Sequence, residues 1–111
     1  MHIDKRIYSR GESLHAPHLV DLEVAQLLRR QVREGYVSPV RAGEVVEDLI
    51  RLNIRRYPHT RLLLEVWQYR LTLSAYDAAY VVLAETLGAT LITRDARLAS
   101  AHGHSAKIEL F

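Results

Sequence analysis

The chain has 111 residues, 49% hydrophobic and 25% charged, which is ordinary for one globular domain and excludes a disordered tail or a collagen-like repeat. Fifteen basic against thirteen acidic residues give a formal charge of +2; all the basic residues except Lys5 and Lys107 are arginine, whose fixed fork of donors suits phosphate and carboxylate. There is no cysteine, so disulfides, zinc ribbons and thiol catalysis are excluded, and no apolar run approaches the roughly 18 residues of a membrane helix.

Taken in order, Ile3 and Ile7 predict a short helix over residues 1–10. Pro17 fits the first turn of a helix running to about Glu34 and closed by Gly35. Ser38-Pro39 is a cap followed by a first helical residue, opening a second helix with Val45, Val46, Leu49 and Ile50 on its apolar face. Ile54 to Tyr57 reads as a short strand ended by Pro58. Thr60 is expected to cap a third helix through about Tyr69, and Ser74 a fourth that runs to Leu87 and stops at Gly88. Ala89 to Thr93 (ATLIT) is short, apolar and β-leaning, like a buried parallel strand. Asp95 to Ala101 reads as a short helix and Ala106 to Leu110 as a last strand. Helices alternating with short apolar strands predict an α/β fold with a mostly parallel sheet, in a single domain over residues 1–111.

Three acids sit where a surface reading is uncomfortable. Glu23 shares a helix face with Leu19, Val20 and Leu27, where a charge is costly unless paired or metal-bound. Its plainer role is an edge position bonded to an arginine such as Arg30. Asp77 is the one charged residue of an apolar run over residues 75–84. Ser74-x-x-Asp77 also resembles a capping box, and capping and metal binding are compatible. Asp95 directly follows ATLIT, and ligands of open parallel sheets bind beyond the carboxyl ends of the strands. Capping of the DARLASA helix is its alternative role. If the three converge, a divalent cation must offset their repulsion. Carboxylates without cysteine suit Mg²⁺ or Mn²⁺, which activate water and stabilise charge on a phosphodiester.

The other polar features are less specific. His15/His18 and His102/His104 are close in sequence but sit near Gly or Pro, which favours surface roles. No H-E-x-x-H, G-x-S-x-G or glycine-rich phosphate loop occurs. RLNIRRYPHTR brings Arg51, Arg55, Arg56 and Arg61 together with Tyr57, a pattern that contacts an RNA backbone or forms a solvated face. Arg94, inside T-R-D, joins Arg51, Arg55 and Arg56 as a candidate RNA contact. Trp67, Tyr69, Tyr76 and Tyr80 read as core or dimer surface.

The runs LHAPHLVDLEVAQLLRR and LTLSAYDAAYVVLAETLGATLITRDARLASA together resemble the PIN-domain ribonucleases, and most closely the VapC-type toxins of bacterial toxin–antitoxin pairs. The resemblance covers residues 13–111. It implies a three-layer α/β/α sandwich, Mg²⁺- or Mn²⁺-dependent endoribonuclease activity on tRNA or rRNA, a homodimer, and a cognate antitoxin that blocks the site. Carried over by motif, Glu23, Asp77 and Asp95 are the metal-holding and catalytic acids, and Thr93 is the supporting hydroxyl of the T-R-D segment.

The family begins with a central strand that ends in an aspartate. MHIDKRIYSRGE instead resembles the end of the family's second helix, so the usual first strand is expected to be missing. Asp4 lacks a preceding apolar strand and is not expected to replace that aspartate. Three outcomes follow: a natural start further upstream, a degraded and catalytically weak relative, or closure of the sheet by the remaining strands or a strand swap. The expectation is a cytoplasmic RNA-cleaving toxin with no membrane association. Its rival is an impaired remnant that only binds antitoxin or RNA. A helical DNA-binding regulator is a weaker third reading, because ATLIT argues for a buried sheet.

Overall fold

The computed structural model describes residues 5–8 and 13–110. Five strands, β1 (Lys5–Tyr8), β2 (Leu14–Pro17), β3 (Ile54–Tyr57), β4 (Thr90–Thr93) and β5 (Lys107–Leu110), form one sheet in the order β3-β2-β1-β4-β5. Its helices are α1 (Leu19–Arg33), α2 (Pro39–Arg51), α3 (Leu63–Gln68), α4 (Ala75–Leu87) and α5 (Ala96–Ala99), with a 3₁₀ turn over His59–Leu62. The α/β expectation holds. β2 is parallel to β3 and β4 to β5, while β1 runs antiparallel to both β2 and β4. Four strands therefore point the same way, and their carboxyl ends lie along one edge of the sheet.

Two corrections concern the amino-terminal part. The helix expected over residues 1–10 is a strand where it is described, at Lys5–Tyr8. An isolated helix of that length is marginal in water, whereas a slot between two strands offers backbone partners on both sides. The middle of the sheet, where the usual first strand is expected to be missing, is filled by this strand, antiparallel to both neighbours. The link from Tyr8 to Leu14 is too short for a parallel crossover, so an antiparallel neighbour results. Asp4 lies outside the described residues. Pro17, expected inside the first helix, closes β2 instead; α1 starts at Leu19, and the His18 N–H bonds the Tyr57 carbonyl at 2.8 Å.

The local end signals act largely as read. Ser38 Oγ accepts from the Arg41 N–H at 3.1 Å, with Pro39 first in α2. Ser74 Oγ accepts from the Asp77 N–H at 3.1 Å, and Gly88 ends α4 at φ +62°, where a side chain would be strained. Thr60 is no cap: it lies within the 3₁₀ turn, and α3 begins at Leu63 without a side-chain bond.

The core centres on α4, where every residue from Ala78 to Ala84 is buried. It packs across β1, β2 and β4, with α3 against it. Val20, Val24 and Leu28 supply the buried stripe of α1. Leu83 and Leu91 are 1% and 0% exposed, and such burial contributes roughly 1.5–3 kcal/mol per side chain.

Candidate active site

β4 ends at Thr93, which is fully buried and whose Oγ1 accepts the Asp95 N–H at 3.0 Å. Asp95 then caps α5: its Oδ1 accepts from the backbone N–H groups of Arg97 at 2.9 Å and Leu98 at 3.4 Å. The cap ties down one carboxylate oxygen of Asp95 and fixes the orientation of the other. Asp77 stands in the first turn of α4, half-buried, with its backbone held by Ser74. The two acids face one cleft of about 530 Å³, which Thr72, Ser74, Arg97 and His102 also line. The carboxylate of Asp95 caps a helix, as its alternative reading expected, whereas at Asp77 it is the Ser74 hydroxyl that caps.

Glu23 is placed differently. It projects from α1 at the border of the buried stripe and is half-buried, but it does not line that cleft. Its Oε1 accepts the Tyr80 hydroxyl at 2.5 Å. Tyr80 is completely buried, so its hydroxyl needs an acceptor inside the protein. Burial first, then the bond and charge of Glu23, push the phenol far above its usual pKa, and the fields of Asp21 and Asp77 add to this. Glu23 is therefore joined to Asp77's helix through a tyrosine.

Carboxylate oxygens fit a hard divalent cation. Among the described residues, however, no three His, Cys, Asp or Glu side chains gather closely enough to cage one. Asp77 and Asp95 fit the open kind of site in which one or two carboxylates hold Mg²⁺ while water and phosphate complete its shell.

The arginine-rich stretch lies at the far edge of the sheet, on α2 and β3. Arg51 and Arg55 are exposed, whereas Arg56 is a strut. Its Nε donates to both Asp21 oxygens at 3.0 and 2.9 Å, and its remaining nitrogens donate to the Leu49 carbonyl at 2.9 Å and the Ile54 carbonyl at 3.4 Å. Three of the five N–H groups of Arg56 are thus engaged inside the fold, unlike those of the exposed Arg51 and Arg55. Arg94 is exposed beside Asp95.

Two residues that line the cleft, and one polar bond in the core, carry no clear signal in the sequence. Tyr80 is a core residue, as read, but its bond to Glu23, 57 residues away, has no signal in local spacing. His102 was assigned a surface role; it is exposed, but in the cleft of the acids. Arg97 was not singled out, and its Nε lies 3.7 Å from Asp95 Oδ1. A larger, apolar groove of about 760 Å³, lined by Leu63, Leu64 and Trp67, adjoins the cleft of Asp77 and Asp95 and shares Leu73 and Ser74 with it.

A mostly co-directional sheet with acids beyond its carboxyl ends defines a class of α/β proteins that handle charged ligands at that edge. The PIN-domain family matches residues 2–103 of this chain. Ribonuclease VapC12 of Mycobacterium tuberculosis is 44% identical over 101 residues, spanning 91% of this chain and 78% of the relative. Ribonuclease VapC1 of the same organism is 43% identical over 97 residues, 86% of this chain and 73% of the relative. Ribonuclease VapC9 is 43% identical over 88 residues, 79% and 69% respectively. With these matches the chain belongs to the PIN-domain family, in its VapC group.

Proposed function

We propose that this chain is the toxin of a toxin–antitoxin pair, a divalent-metal-dependent endoribonuclease acting on tRNA or rRNA as a single domain over residues 1–111. One observation carries the reading: Asp77 and Asp95 face one cleft past the carboxyl end of β4, in a chain 44% identical to a relative named a ribonuclease. Mg²⁺ or Mn²⁺, when bound, supplies charge stabilisation at the scissile phosphate and a more acidic water.

This chain's residues do the rest. Asp77 and Asp95 would hold the cation; Glu23, the third acid the resemblance implies, stands outside their cleft. Thr93 fixes the backbone of Asp95 by accepting its N–H. Arg97 and His102, which line the same cleft, offer donors to phosphate oxygens, and the exposed Arg51, Arg55 and Arg94 add contacts to the RNA backbone. The partners are an antitoxin protein and a second copy of the chain, with the exposed Leu64 and Trp67 as apolar contacts for one of them. Among the described residues no helix is long and apolar enough to cross a membrane, and the cytoplasm is the proposed compartment.

The test is cleavage of a mixed tRNA and rRNA pool with Mn²⁺, with EDTA, and by Asp95→Asn. Discrete products that vanish in EDTA and in the variant are expected. Cleavage that persists in EDTA would sink the reading.

A second reading is an impaired remnant that retains only partner or RNA binding. It is favoured by the lack of a three-acid cage among the described residues. Antitoxin affinity that survives Asp77→Asn and Asp95→Asn, in a folded chain that cleaves nothing, would select it.

A further inference from the structure

We propose that Glu85 is a positioning residue for the cleft of Asp77 and Asp95: its carboxylate, near the other end of α4, holds the two turns that wall the cleft and so sets where His102 stands for an RNA phosphate. The inference rests on the RNA-cleaving reading above and names what shapes its binding wall.

Glu85 is an oddity on α4. It follows the buried run Ala78–Ala84 and lies in the last turn of the helix, where the negative end of the helix dipole disfavours an anion. Gly88 already ends the helix, so the stop needs no acid. What Glu85 gathers comes from outside α4. Its Oε2 accepts from the Tyr69 hydroxyl at 2.7 Å, the Ser105 N–H at 2.8 Å and the Ser105 hydroxyl at 2.9 Å. Burial pushes the carboxyl pKa up, but the Ser105 amide, the Tyr69 and Ser105 hydroxyls and the charge of His104 together hold it below its usual value. The acceptor is therefore an anion at neutral pH, and hydrogen bonds to an anion are the strong ones.

Each donor anchors one wall. Tyr69 follows α3, and its carbonyl accepts from the N–H groups of Thr72 at 3.0 Å and Leu73 at 2.9 Å. The turn over residues 69–73 is thus wound on the residue whose hydroxyl Glu85 holds, and Thr72, Leu73 and Ser74 line the cleft. On the other wall, His104 donates from Nε2 to the Ala101 carbonyl at 3.0 Å, closing a turn that Ser105 fastens to Glu85. Ala101 and His102 line the cleft from that turn. Residues 101–106 form neither helix nor strand, so no backbone ladder fixes them, and a peg of this kind decides where His102 stands. Glu85 itself does not line the cleft; it acts through the two turns and not on RNA.

The experiment is tRNA binding to the full chain by fluorescence anisotropy, with Ca²⁺ in place of Mn²⁺ so that binding is read apart from turnover, alongside thermal unfolding. His102→Ala is expected to raise the Kd by roughly 10-fold, as for the loss of one hydrogen bond to a charged group. Glu85→Ala should raise it about as much, and His102→Ala should then add little in the Glu85→Ala background. Glu85→Gln should keep most of the affinity, because its amide carbonyl still accepts from Tyr69 and Ser105. A merely structural role would lower the unfolding temperature and leave the effect of His102→Ala undiminished.

A folded Glu85→Ala chain in which His102→Ala keeps its full effect overturns the inference while the RNA-cleaving reading stands. No effect of His102→Ala in the wild-type chain overturns the inference as well, because there is then no contact for Glu85 to place. No tRNA binding by the wild-type chain overturns the reading and the inference with it. Should Glu85→Ala fail to fold, the same cycle on Tyr69→Phe combined with Ser105→Ala decides, since each change removes one hydroxyl and leaves the carboxylate in place. There too, an undiminished effect of His102→Ala overturns the proposal.

Discussion

On the β4 side of the sheet, the backbone around Asp77 and Asp95 is fixed by partners two or three residues away: Ser74 bonds the amide of Asp77, and Asp95 bonds the amides of Arg97 and Leu98. On the β2–β3 side the polar groups reach across the fold. Glu23 meets Tyr80, Asp21 meets Arg56, and His15 sits between the hydroxyls of Ser13 and Tyr57. The first kind of placement is a property of a helix end and forms with that helix. The second exists only when the sheet and both helices have docked. A loosened molecule would therefore lose the alignment of Glu23 while Asp77 and Asp95 kept their local geometry.

Four measurements bear on that contrast. The largest effect is expected from Asp95→Asn. Asparagine caps a helix about as well as aspartate, so the unfolding temperature should hold. Cleavage should fall by about 100-fold or more, at or beyond the range seen for outer-shell changes. A matching loss of stability would mean that the carboxylate is there for the fold.

Arg56→Met comes next. It removes bonds that join α1, α2 and β3, and it leaves the half-buried Asp21 without its ion pair. A loss of about 2 kcal/mol is expected in urea unfolding. A near-zero change would show that apolar packing alone holds this flank.

Ser74→Ala should cost about 1 kcal/mol, with Ser74→Asn restoring most of it, because only the local cap is touched. Its effect on Glu23, read as the Tyr80–Glu23 coupling in a double-mutant cycle, should be negligible.

The smallest effect is expected from pH. Burial first, and the Arg55 guanidinium second, hold the His15 pKa below its usual value. The unfolded chain therefore binds the extra proton first on acidification. Stability contributed by neutral His15 is complete above the ordinary histidine range and is lost as the pH falls through it toward the lower native value. Wild type should lose stability more steeply than His15→Gln between about pH 7 and pH 5, by less than about 1 kcal/mol. Equal slopes would show that His15 does not set this dependence.

Legibility in the sequence follows the same divide. Ser38, Ser74, Asp95 and Gly88 announce helix ends because a cap needs only its near neighbours, and ATLIT announces a buried strand by composition. Asp77 and Asp95 could be paired because each sits at such an end. The role of Lys5–Tyr8 was not legible, since four residues become a strand only by finding edges elsewhere. Pro17 was misplaced for a related reason: parallel pairing with Tyr57 outweighed its preference for a first helical turn. Tyr80 and Arg56 hid in plain composition, one among aromatics and the other among arginines, and only their distant partners Glu23 and Asp21 distinguish them.

The central place of β1 also sets an order of assembly. Lys5 pairs with Thr93 and Tyr8 with Thr90, so the partner strand leaves the ribosome long after β1 does. Contacts so far apart in the chain form late and slow folding. In refolding, the amides of Lys5–Tyr8 should gain protection from hydrogen exchange in one step with those of Thr90–Thr93, after the helices. A nascent chain stalled before residue 90 would carry β1 with an open edge, exposed to proteases and to stray strands of its neighbours on the same message.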